Sequence, residues 1–125
     1  MKLADATSLT GVIDVNELMT RCLNNLDFAE RMLNMFLNHC GDDLVQLDRA
    51  FDAGDIETAR RVSHRFAGAS ANAAATQLHV RATQLRSELR AGSMEAARPC
   101  LHELHQEWQR FAAAMSPEQL VSETT

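Results

Sequence analysis

Apolar residues recur along this chain at spacings of three and four. The longest run is Leu26, Ala29, Leu33, Phe36, Cys40, Leu44, Leu47 and Phe51. One helix over about residues 27–53 accounts for all of them, because about 3.6 residues per turn returns such positions to one face. Gly41 lies inside the run, and the phase carries across it. Upstream, Asp14 followed three residues later by Glu17 has capping-box spacing. A short helix should follow, with Val15, Leu18, Met19 and Cys22 inward, until Asn24-Asn25 breaks it. Downstream, Ala53-Gly54-Asp55 reads as a stop, a glycine past the helix end and a new N-cap. The next helix runs from about Ile56 to Asn72, with Ile56, Ala59, Ser63, Phe66, Ser70 and Ala73 on one face. Another carries Leu78, Ala82, Leu85 and Leu89, and Ala91-Gly92-Ser93 repeats the stop-and-start signal. The last carries Met94, Ala97, Leu101, Leu104, Trp108, Phe111 and Met115. Pro99 either kinks its first turns or moves its regular start to near Arg98.

This pattern predicts an all-α fold: an antiparallel four-helix bundle with an additional short N-terminal capping helix. The bundle should occupy residues 12–116, after a flexible leader at 1–11 and before a frayed tail at 117–125. Ser116-Pro117-Glu118 has the chemistry to start one more turn. Composition agrees, since aromatics are 5% and tyrosine is absent, which favours helices over a sheet sandwich. A net charge of −5 argues against nonspecific nucleic-acid binding. No apolar run approaches the roughly 20 residues that span a bilayer, and the N-terminus has no secretory pattern. Three widely spaced cysteines, Cys22, Cys40 and Cys100, suit a reducing compartment, so a cytoplasmic location is expected.

The candidate chemistry lies in Arg-Arg-Val-Ser-His-Arg-Phe-Ala-Gly-Ala-Ser-Ala, residues 60–71. On a helix His64 falls at the edge of the core face. Arg60 and Arg61 lie four and three residues before it, and Gly68 and Ala71 four and seven after it. A glycine inside a helix costs about 0.5–1 kcal/mol relative to alanine. Gly68 fits two readings: space for something to approach the imidazole, or a tight helix–helix contact. Arg60, Arg61, Arg65, Arg81, Arg86 and Arg90 are dense around His64 for an acidic chain, which favours a local phosphate-attracting patch over an ordinary solvated face. His102 and His105, with Cys100 nearby, have spacing that zinc can use. Both fall off the Leu101–Leu104–Trp108 stripe and should face solvent, so no metal site is expected. There is no Gly-rich phosphate loop, nucleophile elbow, thiol–histidine signature or kinase ATP-binding segment.

The stretch resembles the signature of histidine-containing phosphotransfer (HPt) domains, the phosphorelay carriers of two-component signalling. That pattern is His-x-x-Lys-Gly, then a small residue or glycine, then a leucine one helical turn on. Here His64, Gly68, Ala74 and Leu78 are in register. Ala67 stands where lysine is usual, and Ala74 where glycine is usual. The likeness extends from about Ile13 to Met115 in helix order and length. It implies that His64 is phosphorylated, exchanging the group with the aspartate of a response-regulator receiver domain. It also implies a phosphocarrier rather than an enzyme, with no cofactor of its own and Mg²⁺ on the receiver. A hybrid sensor histidine kinase is a further expected partner, and the chain should be a monomer that binds neither nucleic acid nor membrane. With Ala67 unable to meet the phosphoryl oxygens, Arg60, Arg61 and Arg65 are the phosphate-neutralising candidates. Gly68, Ala71 and Ala67 are the expected docking surface. Two other readings stay open: a receiver-docking adaptor that does not transfer, and a metal-binding or purely structural bundle.

Overall fold

A computed structural model describes residues 11–115 of the chain. The expected leader and tail, with the turn at Ser116-Pro117-Glu118, lie outside the described residues except for Gly11. Within them the chain forms five helices: α1 (Val15–Arg21), α2 (Leu26–Ala53), α3 (Ile56–Asn72), α4 (Thr76–Arg90) and α5 (Met94–Met115). Four of the five starts have a side-chain cap, and α4, which follows Ala75, has none. Asp14 accepts a hydrogen bond from the Glu17 N–H, Asn25 from Phe28 and Asp55 from Thr58. The Ser93 hydroxyl oxygen accepts from the Ala96 N–H at the start of α5. The Thr58 side-chain hydroxyl and backbone N–H hold the Asp55 carboxyl below its ordinary pKa.

Three helices stop in the same way. After α1, Asn24 N–H donates to Met19 O and Leu23 N–H to Thr20 O. After α2, Asp55 donates to Ala50 and Gly54 to Phe51, and after α3 Ala75 donates to Ser70 and Ala74 to Ala71. These are Schellman pairs, and each needs a left-handed residue between its two donors' helix and the next element. That residue is Leu23 (φ +54°), Gly54 (φ +67°) and Ala74 (φ +55°). Only the second is a glycine, so two of the stops carry strain.

The apolar stripes meet as expected. Phe36 of α2, Phe66 of α3, and Trp108 and Phe111 of α5 form one aromatic cluster, with ring centroids 5.4–6.1 Å apart and most contacts edge-to-face. Leu78, Ala82, Leu85 and Leu89 bury the inner face of α4. Helix α1 closes one end, where the Asp14 N–H donates to the carbonyl of Ala74 at 2.8 Å. Buried polar side chains are few, and every fully buried polar side-chain atom among the described residues is hydrogen-bonded.

Two expectations are corrected. Leu26, expected inward, is 45% exposed at the first position of α2, and burial of that face begins at Ala29. Helix α5 starts at Met94 and includes Pro99, so of the two expectations for this proline the later start near Arg98 is the one corrected. Proline there removes one bond, to the Glu95 carbonyl, and that position is close enough to the N-terminus for the helix to absorb the loss.

Leu23 is 88% exposed and left-handed, so its side chain contributes strain and almost no burial. Leu23→Gly should raise unfolding free energy by about 1 kcal/mol, the scale of the left-handed penalty for a residue with a Cβ. Urea unfolding of the two proteins measures it.

Candidate functional site

Helix α3 buries Ala59, Val62, Ser63, Phe66, Ala67 and Ser70. The two serines enter the core because their hydroxyls donate back to helix carbonyls, Ser63 to Arg60 at 3.0 Å and Ser70 to Phe66 at 2.9 Å. His64 lies one residue off this face, in the middle of the helix, and is exposed. It opens into a shallow depression of ≈ 420 Å³ lined by Glu57, Arg60, Arg61, His64, Arg86 and Arg90. Four guanidiniums therefore face one carboxylate around the imidazole. Arg60 is the most constrained of them: its Nε donates to the Leu89 carbonyl at 2.9 Å and its Nη1 to Glu57 at 2.9 Å. Arg60 thus ties α3 to the last turn of α4, at the end of the helix that carries Arg86 and Arg90.

Gly68 is exposed, and a Cβ added there would meet nothing within 4 Å. The tight-packing alternative for this glycine is therefore removed. Ala71 is half-buried on the same side. The surface beyond His64 is bare backbone and small side chains.

Two expected site residues are elsewhere. Arg65 points away from the depression, to α2, where its Nε and Nη2 reach Asp43 Oδ1 at 3.1 and 2.6 Å. Asp43 is buried, so this guanidinium is held as the partner of a core carboxylate, and that bond pushes the Arg65 pKa upward. Arg65 is thereby removed from the phosphate-neutralising candidates. Ala67 is 3% exposed and belongs to the core face, not to a docking surface. Its carbonyl lies 3.0 Å from Nδ1 of His79, so this histidine stitches the first turn of α4 to α3. Arg81, part of the cationic run, is paired with Glu103 of α5 at 3.0 Å.

The other candidate chemistry disperses. His102 is exposed as expected, but His105 is half-buried and its Nε2 lies 2.7 Å from Asp48 Oδ1 on α2. Among the described residues no group of three or more His, Cys, Asp or Glu side chains is placed to hold a metal ion. All three cysteines are free. Burial, reinforced by the neighbouring Asp43 charge, pushes the Cys40 thiol up to about 12.

Residues 31–114 match the family model described as the Hpt domain. The chain belongs to the Hpt domain family. Hpt domains carry out histidine phosphotransfer in two-component signalling and are phosphocarriers rather than kinases. A solved structure, the HPT domain from the Hpt sensor hybrid histidine kinase from Shewanella, superposes with a TM-score of 0.74 at 20% identity, covering 89% of this chain and 94% of that one. That likeness shows the fold. No curated protein matches the chain. None of the described helices of this Hpt domain is long and apolar enough to cross a membrane.

Within the Hpt domain, Arg86 and Arg90 are the lining residues missing from the neutralising candidates that the sequence suggested. They are four apart on α4, off the Leu78–Leu89 stripe, and antiparallel pairing with α3 places that end of α4 beside the first half of α3, where Arg60 bonds the Leu89 carbonyl. Helical spacing plus the short α3–α4 connection is the signal that finds them.

Gly68→Ala should raise stability by about 0.5–1 kcal/mol, since the added methyl meets no clash and restores helix propensity. Arg65→Ala should lower it by about 1–3 kcal/mol by leaving the Asp43 carboxylate buried and unpaired, while Arg61→Ala should stay within about 0.5 kcal/mol. Denaturant unfolding of the three variants separates the structural arginine from the site arginine.

Proposed function

We propose that this chain relays a phosphoryl group on His64, taking it from and returning it to the aspartate of a response-regulator receiver domain. The observation that carries this reading is the exposed imidazole at mid-helix, inside a depression lined by four arginines and next to the bare surface of Gly68. A carrier needs an accessible nucleophile, cations to offset the phosphoryl charge, and room for the donor to come close. In the forward step a lone pair on one ring nitrogen of His64 forms a bond to phosphorus. The bond from phosphorus to the receiver's aspartyl oxygen breaks, and its electron pair leaves with the carboxylate. The positive charge left on the ring is cleared when the proton on its other nitrogen passes to water. The return step reverses this.

The receiver is expected to bring the Mg²⁺ and most of the catalytic groups. The chain's part is to present the imidazole at fixed geometry on a packed helix. A hybrid sensor histidine kinase fits as the upstream source of the phosphoryl group, and the cytoplasm as the setting in which three free thiols stay reduced. The chain acts as a carrier, not as a kinase or phosphatase, and as a monomer.

Mixing the chain with individual phosphorylated receivers and assaying acid-labile label tests this. Wild type should take label from at least one of them. His64→Gln should take none, while unfolding within about 0.5 kcal/mol of wild type because the side chain is exposed. Label persisting on that variant, at His79 for example, would overturn the assignment. A chain that binds phosphorylated receivers and never takes label is an adaptor.

A further inference from the structure

We infer that Arg60 is a positioning residue of this site: it caps the C-terminal end of α4 and holds that end against α3, and it does not grip the phosphoryl group itself. This rests on His64 being the phosphoryl acceptor. Helices α3 and α4 are held differently at their two ends. Where the chain passes from one to the other, Ala73, Ala74 and Ala75 are buried, and His79 Nδ1 lies 3.0 Å from the Ala67 carbonyl. At the far end the chain does not join them, because α4 leads on into α5. The hydrogen bond that crosses between them there runs from Arg60 Nε to the Leu89 carbonyl at 2.9 Å. In sequence His64 lies between these two ties, at Arg60 and Ala67. The depression around it has Glu57, Arg60 and Arg61 on its α3 side and Arg86 and Arg90 on its α4 side. Its width therefore depends on how closely this end of α4 lies against α3.

Leu89 is the last residue but one of α4, so its carbonyl has no partner within the helix. The Gly92 N–H donates to it at 3.1 Å, and Arg60 takes its remaining lone pair. A cation at a helix C-terminus is favourable, which keeps this bond made. The same bond limits what else Arg60 can do. A guanidinium grips a phosphoryl group through two neighbouring N–H groups, either Nε with Nη2 or Nη1 with Nη2. Arg65 shows the first grip, on Asp43, through its Nε and Nη2. In Arg60 the first pair has its Nε on Leu89, and the second has its Nη1 on Glu57 at 2.9 Å. Neither pair is free for a phosphoryl group while both bonds stand. Spacing along α3 makes Arg60 a neutralising candidate, and its bonding makes it the brace of the groove.

The test uses the full chain and phosphoramidate, a small phosphoryl donor that needs no receiver. A ring nitrogen of His64 bonds to phosphorus, and the donor's phosphorus–nitrogen bond breaks. Ammonia leaves with that electron pair, and the other ring nitrogen gives its proton to water. Labelling rates are measured for wild type, Arg60→Ala, Arg60→Lys, Arg65→Ala and His64→Gln. The Arg60 Nε–H resonance of wild type is followed by NMR before and after labelling. Arg60→Ala should label about threefold to tenfold more slowly than wild type. Arg60→Lys restores the charge without the planar, two-edged donor, so it should stay within about twofold of the alanine variant. Arg65→Ala breaks a structural ion pair outside the depression and should label within about twofold of wild type. The Arg60 Nε–H should exchange with solvent about tenfold or more slowly than that of the exposed Arg61, and should keep its chemical shift when His64 carries the phosphoryl group. A lysine variant within about twofold of wild type means that charge suffices and overturns the inference. So does an alanine variant within about twofold of wild type, or an Arg65→Ala as slow as Arg60→Ala, which makes the effect one of general stability. If Arg60→Ala melts early, the wild-type resonance decides. An Nε–H that exchanges as fast as that of Arg61, or that shifts on labelling as a phosphate-bound guanidinium does, overturns the inference. All these outcomes leave His64 as the acceptor. Label on His64→Gln, or none on wild type, overturns the acceptor assignment and the inference with it.

Discussion

Helix α3 has to satisfy two surfaces with one sequence. Its inner face carries Phe66 into the aromatic cluster with Phe36, Trp108 and Phe111, and admits Ser63 and Ser70 because their hydroxyls bond within the helix. One residue off that face, the helical period turns His64 outward. The imidazole needs no partner of its own to be held in place, because the backbone beneath it is fixed by the buried residues on either side. The groove wall opposite is fixed in turn by Arg60, which bonds the Leu89 carbonyl of α4. Packing thus sets the position of the nucleophile, and packing of the Leu78–Leu89 face together with one cross-helix hydrogen bond holds the helix that carries the cations.

The helices were legible because their stripes are long and regular. The span of α3, read as about Ile56 to Asn72, agrees with the structure, and its start at Gly54-Asp55 was legible because cap chemistry is local. So was the place of His64 at the edge of the core face, which depends only on phase along one helix, whereas Gly68 fitted both an open surface and a packed one until its surroundings were known. Which arginine meets which carboxylate was not legible. Arg65 is adjacent to His64 in sequence, yet it turns to Asp43, a buried acid on α2 that its own position gave no reason to single out. Ala67 was grouped with the outer surface on the family pattern, while the packing of α4 across it, with His79 at its carbonyl, buries it. Both outcomes depend on the register between antiparallel helices, and that register is a tertiary property.

The places where this chain departs from its family have structural content. Glycine is usual in the family at the position of Ala74, and here that residue is left-handed, closing α3 and offering its carbonyl to Asp14. A residue with a Cβ is tolerated because the turn is held from two sides, by the Schellman bonds and by the start of α1. The same turn, with Leu23 in the left-handed position, ends α1 without glycine. Strain of this kind is affordable in a domain whose aromatic core and paired arginines are otherwise well satisfied.

Cys40 has one more consequence. Its side chain lies wholly inside the bundle, near Asp43 and Arg65, and burial pushes the thiol up to about 12, so almost none of it is thiolate at neutral pH. Alkylating reagents and oxidants act on the thiolate, so the folded chain hides this atom from both. Its reactivity is therefore a clock for how often the packing around the middle of α2 opens. That clock reads transient opening of the core on which the histidine helix packs, through a side chain the protein already has.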